Sequence, residues 1–280
     1  KFNSVLNDEI ENQSISDVPI GMYLSGGIDS GALLNGFSKT SSKINAFTIM
    51  FDKNDEDYLT VNQLNDDIPF SKNILPFDGY SNDVIDDTIL SLEEPFGDLI
   101  ICANYLLAEF ASKQVKVVLS GEGGDESFMG YDHQRAFLKM SSYYSIPGIR
   151  SILSFLLKSL SPSLISFFNG YPGNFGIEEK NRIYDTYSNL KDPFTAYTKL
   201  ISLFQVDEIQ LLINEEFLKN TNKMPDHEPL KEIFSMDDNI YKCIMRAEIE
   251  QMTLIINLLK QERLGMAFSL EGRVPLVSKK

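Results

Sequence analysis

The chain alternates short apolar runs with helix-patterned stretches through its first half, and this alternation constrains the fold more than any other feature. Pro19 to Leu24 is a short apolar run closed by a Ser-Gly-Gly loop, and Ser30 to Ser38 then reads as a helix. Ile44 to Phe51 has the β-branched and aromatic content of a strand, followed by a helix near Glu56 to Asn65 and a strand near Phe70 to Phe77. Helical stretches near Asn82 to Leu92 and Ile100 to Lys113 lead into Val115 to Leu119, whose nearly continuous apolar character suits a strand buried on both faces. Strands that alternate with helices predict an α/β fold built on a doubly wound parallel sheet. From about Tyr131 onward the strand signal disappears. Leu, Phe and Ile then recur at helical spacing, predicting a large helical C-terminal portion, with loops at Asn169–Gly176 and Met224–Pro229, the latter containing His227.

Composition excludes several functional classes. The 280 residues carry 25 Lys and Arg against 40 Asp and Glu, a net charge of −15, which opposes nucleic acid as a partner because phosphate-backbone affinity comes from clustered cations. The two cysteines, Cys102 and Cys243, form no closely spaced pair, so neither a disulfide framework nor a cysteine zinc site is expected, and a reducing, cytoplasmic setting fits. Only His133 and His227 are available for imidazole chemistry. The longest apolar stretch, Ser151 to Phe168, is interrupted by Lys158 and Pro162, which argues against a membrane span.

Two loops concentrate the chemistry. Ser25-Gly-Gly-Ile-Asp-Ser30 follows the first buried strand and opens a helix. Its glycines let backbone N–H groups approach an anion, its hydroxyls add hydrogen bonds, and the helix start contributes partial positive charge. The loop lacks the Gly-Lys-Ser/Thr of a Walker loop and the spacing of a dinucleotide turn. A carboxylate inside such a cradle would repel phosphate unless Mg²⁺ lay between them, so Asp29 implies a metal–nucleotide complex. The plainer reading is a Gly-rich turn with Asp29 as a helix cap. Ser120-Gly-Glu-Gly-Gly-Asp-Glu126 repeats the arrangement after another buried strand, now with three carboxylates. Ligands of open parallel sheets sit beyond the carboxyl ends of the strands, so the two loops could face one nucleotide, with Asp29 and Asp125 sharing Mg²⁺.

These residues resemble a family. Ser-Gly-Gly-x-Asp-Ser is similar to the pyrophosphate loop of the N-type ATP pyrophosphatases. Ser16-Asp-Val-Pro19, Glu94-Pro-Phe-Gly-Asp98, the Ser120–Glu126 loop with Gly130-Tyr131, and Ser269-Leu-Glu-Gly-Arg-Val-Pro275 together resemble the synthetase domain of glutamine-hydrolysing asparagine synthetases. The helical half could form a separate domain, but the return of the chain at its end to a motif-like segment favours a single synthetase domain over 1–280: a nucleotide-binding core at 16–138, a helical insertion at 139–238, and a return to the active site at 239–280. The resemblance implies ATP-dependent adenylation of a carboxylate, the aspartate side chain foremost, then attack by ammonia to give an amide, AMP and pyrophosphate. Ser25, Gly26, Gly27, Asp29 and Ser30 would hold pyrophosphate, and Leu24, Ile49, Ser120 and Gly121 would frame the adenosine. Asp29 and Asp125 would bind Mg²⁺, and Glu122 would take a proton from ammonia. Glu126 would support its loop. Lys260 or Arg263 would supply the cation near the α-phosphate, and the sequence leaves the register between them open.

The family's glutaminase domain, with its N-terminal cysteine nucleophile, has no counterpart here, so a separate nitrogen source is expected. Cys102 and Cys243 read as core thiols. A homodimer is allowed by the sequence but not specified by it. Departures from the family pattern are Glu262 for Asp, Gly265 for Ser, Met129 for Gly and Ser278 for Asp. Two further readings stay open: a relative that adenylates a sugar acid, a β-amino acid or a peptide, and a degenerate nucleotide-binding protein without turnover.

Overall fold

The computed structural model of the chain describes every residue except 42, 65–67, 99, 147, 163–175, 214–215, 217–226 and 279–280. Its centre is a five-stranded parallel sheet in the order β3-β2-β1-β4-β5. The strands are β1 (Ile20–Tyr23), β2 (Ile44–Met50), β3 (Phe70–Pro76), β4 (Val117–Leu119) and β5 (Glu271–Arg273). The chain builds outward from β1 to β3, then crosses back to place β4 on the other side of β1. The direction therefore reverses between β1 and β4, the kind of switch point at which doubly wound sheets bind ligands.

Alternation along the strands sends side chains to two cores. Met22, Ala46 and Leu119 join Leu33, Leu34 and Phe37 of helix α2 (Ile28–Phe37) and Leu6 and Ile10 of α1 (Phe2–Gln13) on one face. Phe47 and Val118 join Leu107, Ala108 and Ala111 of α5 (Ile100–Ser112) on the other. Helices thus cover both faces, which is the doubly wound arrangement expected from the alternation. All three β4 residues are buried, as a central parallel strand requires.

The chain divides into two compact units: Lys1–Phe128 with Glu248–Lys280, and Met129–Ala247. The first contains the sheet. The second is helical among its described residues and packs Phe137, Tyr187, Tyr197, Ile233 and Ile244 into its own core. Met129, the first residue of that unit, has φ 59°, a left-handed conformation in which Gly would be unstrained.

Several elements depart from the sequence expectation. Glu271–Arg273 is a strand although the segment after Tyr131 carries no strand signal; Glu, Gly and Arg have little β-propensity, and the segment is extended because it pairs with β4. Helix α3 (Glu56–Gln63) ends at Gln63 rather than Asn65, which lies outside the described residues. Of the expected loop at Met224–Pro229, residues 224–226 are outside the described set, His227 is a helix N-cap, and Glu228 and Pro229 open the Glu228–Met236 helix. The Asn169–Gly176 loop is likewise undescribed up to its last residue, Gly176, which caps the next helix. Residues Glu248–Asn257 form a π-helix, which no sequence pattern announced. No described helix is long and apolar enough to cross a membrane.

Candidate active site

The strand ends at the switch point carry both glycine-rich loops. Leu24 extends β1: its N–H donates to the Phe47 carbonyl at 2.9 Å, and its own carbonyl accepts from Thr48 Oγ1 at 2.6 Å. Ile49, one residue beyond Thr48, lies half-buried on the adjoining strand. The next turn is organised by serine. Ser25 N–H donates to Ser30 Oγ at 3.2 Å, Gly27 N–H donates to Ser25 Oγ at 3.2 Å, and the two hydroxyl oxygens are 3.0 Å apart. Gly27 is the N-cap of α2 and offers no side-chain cap. Asp29 lies in the first turn and is not the cap, so the plain capping reading does not apply.

Instead Asp29 turns toward the second loop. Its carboxylate packs against Gly124, and a Cβ at Gly124 would collide with it. Gly121 completes the approach: a Cβ there would be 3.1 Å from the Ser30 nitrogen and 3.3 Å from Asp29 Cβ. Two glycines are therefore what allow the loops to meet. Gly123 between them has φ +90° and rests against Val277. Ser120, buried at the end of β4, donates its N–H to the Arg273 carbonyl of β5 at 2.8 Å.

The carboxylates form an acidic group with distinct environments. Burial raises the Asp29 pKa, and the charges of Asp125 and Glu126 push it the same way. Burial also raises the Glu122 pKa, with Glu126 adding to the effect, Lys260 opposing it and Asp125 contributing less. Glu126 is 1% exposed, and Asn257 Nδ2 donates to its Oε1 at 3.0 Å. Asn257 is the last residue of the π-helix, so that irregular segment delivers a donor under the loop.

Lys260 and Arg263 occupy the Leu258–Met266 helix. Lys260 is 9% exposed and its Nζ donates to Asp98 Oδ2 at 2.9 Å. Arg263 points to the end of α4 (Asn82–Leu92), where it donates to the Leu92 carbonyl and lies 3.9 Å from Glu93 and 3.7 Å from Glu94. Of the two cations, Lys260 is the one whose charge reaches Glu122 strongly enough to offset part of its raised pKa. Asp125 is exposed at the loop rim, open to solvent and to a ligand.

Among the described residues no group of three or more His, Cys, Asp and Glu side chains could hold a metal by itself. Two carboxylates crowded at a phosphate-type loop nevertheless fit Mg²⁺, which keeps waters and takes oxygens from phosphate in addition to one or two protein carboxylates. Burial first, and then the like charges of Asp125 and Glu126, raise the Asp29 pKa, and a cation placed beside it would act in the opposite direction.

Sequence reasoning brought Leu24, Ser25, Gly26, Gly27, Asp29, Ser30, Ser120, Gly121, Glu122 and Asp125 to one end of the sheet, and they lie there. It missed Asp57, Asn257 and the role of Asp98 as the partner of Lys260. Asp98 closes the Glu94-Pro-Phe-Gly-Asp98 motif, whereas Asp57 and Asn257 carried no local signal.

A doubly wound parallel sheet whose switch point carries two serine-led glycine loops and an acidic pair places the protein in the α/β class. The chain belongs to the asparagine synthase family, whose profile matches residues 1–280. It is 24% identical to the glutamine-hydrolyzing asparagine synthetase 1 of Bacillus subtilis over all of this chain and 42% of that protein. It is 34% identical over 45% of its own length to a provisionally named glutamine-hydrolyzing asparagine synthetase 2 of Methanocaldococcus jannaschii, covering 25% of that protein. Over 48% of its length it is 33% identical to Amidase chyE of Penicillium rubens, covering 23% of it. The chain thus spans less than half the length of these relatives.

Proposed function

We propose that the chain is an ATP-dependent amide-forming ligase that adenylates a carboxylate, the aspartate side chain first among candidates, and passes the acyl group to ammonia. The observation that carries this reading is the contact of the Asp29 carboxylate with Gly124, which joins the two glycine-rich loops beside Glu122 and Lys260. Ser25, Gly26, Gly27 and Ser30 would bind the β- and γ-phosphates, with Leu24, Ile49, Ser120 and Gly121 along the adenosine.

In the first half-reaction a substrate carboxylate oxygen bonds to the α-phosphorus and the bond to the β-phosphate oxygen breaks, releasing pyrophosphate. Charge grows on the phosphoryl oxygens, and Lys260 supplies the compensating cation by leaving or sharing Asp98. Asp29 and Asp125 would hold Mg²⁺, which when bound neutralises charge on the leaving pyrophosphate. In the second half-reaction ammonia nitrogen bonds to the acyl carbon and AMP departs. Glu122 accepts the proton that nitrogen loses; a carboxylate with a raised pKa is a better proton acceptor at neutral pH than an ordinary one. Arg263, engaged with the end of α4, orients that segment instead of touching phosphate.

A second carboxylate substrate in place of aspartate is favoured by one observation, the amidase name of the Penicillium relative. The experiment for both readings measures pyrophosphate release from ATP and Mg²⁺, with ammonium, across aspartate and a panel of sugar acids, β-amino acids and peptides. Release that depends on aspartate supports asparagine formation. Dependence on another acid selects the second reading, and no release with any acid would refute the ligase reading.

A further inference from the structure

The N–H of Gly26, in the middle of the first glycine-rich loop, donates to Asp57 Oδ1 at 3.0 Å. That amide belongs to the set through which the loop would hold an anion, and a carboxylate oxygen already occupies it. Asp57 lies in the first turn of α3 (Glu56–Gln63), and its position is fixed. Asp55, the N-cap, accepts from the Asp57 N–H at 2.9 Å and from the Tyr58 N–H at 3.3 Å. Thr60, one helical turn further on, packs against the same glycine. The helix thus presents a negative group to the loop from a rigid base, while Asp57 itself remains exposed and can be hydrated when displaced.

We infer that Asp57 is an affinity-setting residue, an internal competitor that occupies the anion position of the loop and must withdraw when the nucleotide's phosphates settle there. The inference rests on the reading of Ser25–Ser30 as a phosphate cradle. Physically it opposes two effects to binding: the loss of a charge-assisted hydrogen bond at Gly26, and repulsion between Asp57 and the incoming phosphates. The same group favours product departure, because its carboxylate returns to the amide as pyrophosphate leaves. An affinity held down in this way keeps the loop from being saturated by its own product.

The test is calorimetric binding of inorganic pyrophosphate, MgATP and adenosine to the wild-type chain and to Asp57→Asn, Asp57→Ala and Ser30→Ala. Both Asp57 variants should bind pyrophosphate and MgATP about three- to tenfold more tightly, the range expected for removing one solvent-exposed competing hydrogen bond, and adenosine with unchanged affinity. Ser30→Ala should weaken pyrophosphate binding. Unchanged or weaker pyrophosphate binding in Asp57→Asn and Asp57→Ala would overturn the competitor role, weaker binding placing Asp57 with the phosphates' cation instead. A parallel change for adenosine would mark a merely structural effect and also overturn it. If wild type binds no pyrophosphate, or Ser30→Ala binds it as well as wild type, the cradle reading itself fails and this inference with it.

Discussion

Replacing Asp98 with Asn removes the counter-charge of a lysine that is almost out of water. The Lys260 side chain keeps 11% of its surface exposed and Asp98 keeps 46%, with ammonium and carboxylate 2.9 Å apart. Unit charges at that separation attract by about 1.4 kcal/mol at the dielectric constant of water, and by several times more at an effective value of 20. Exposed pairs are worth about 0.2–1 kcal/mol, whereas breaking a fully buried pair costs about 3–5 kcal/mol. This pair is screened on the carboxylate side only, so a coupling of about 1–2 kcal/mol follows. The asymmetry also predicts the single variants. Asp98→Asn should cost more than Lys260→Met, because the stranded ammonium is buried, whereas a stranded Asp98 is hydrated and keeps the Ile100 N–H at 3.1 Å. The assay is a double-mutant cycle by chemical denaturation at pH 7 and again in acid. Burial tends to raise the Asp98 pKa, but hydrogen bonds from Lys260 and the Ile100 N–H and the attraction of Lys260 outweigh it, and the net shift is downward. A carboxyl with a lowered folded pKa contributes stability above its unfolded pKa and loses it as pH falls through the folded value. Coupling should therefore persist at neutral pH and vanish in acid below the ordinary aspartate range. A coupling within about 0.3 kcal/mol of zero at pH 7, or one that survives full protonation, would refute the reasoning.

Glu122→Gln should stabilise the fold at pH 7 by about 1 kcal/mol while reducing amide formation about 10²-fold, because it removes a carboxylate ionised against burial and against Glu126. Its raised folded pKa means that the gain fades as pH falls through that raised value and is gone below the ordinary glutamate range, which denaturation curves at pH 7 and pH 3 would check. Asp29→Asn should lower pyrophosphate release by about 10²–10³-fold with folding intact, read by turnover and circular dichroism together. Glu93 ends α4 at φ 58° with its side chain exposed, so Glu93→Gly should relieve about 1 kcal/mol of left-handed strain and raise the unfolding midpoint by about 2 °C.

The parts of this molecule legible in its sequence are those whose signal is local. Four strands were visible because β-branched and aromatic runs end in turn residues, and the glycine loops because their residue types follow those runs directly. β5 was illegible, since Glu271, Gly272 and Arg273 become a strand only through pairing with β4. The rotation of a helix about its axis is equally nonlocal. Lys260 and Arg263 are three residues apart and share one face to within about 60°, yet one meets Asp98 and the other Leu92. Asp57 and Asn257 act on loops distant in sequence, which one-dimensional spacing does not encode. The helical unit followed from the spacing of Leu, Phe and Ile, but its buried Tyr187 and Tyr197 and the π-helix at its exit had no such signal.

The return of the chain through β5 gives the molecule a temporal property. The Ser120 amide is satisfied by the Arg273 carbonyl, and the Arg273 guanidinium reaches back to the carbonyls of Gln13 and Ile15 at 2.7 and 2.8 Å. A ribosome releasing this chain from its beginning must therefore extrude the whole helical unit before the β4 edge is covered and the second loop is anchored. Until then the nascent sheet exposes an unpaired parallel edge beside the second glycine-rich loop, a state open to misassociation. Chains ending before residue 271 would retain both glycine-rich loops and most of the sheet, and still lack the clasp that ties the first helix to the last strand.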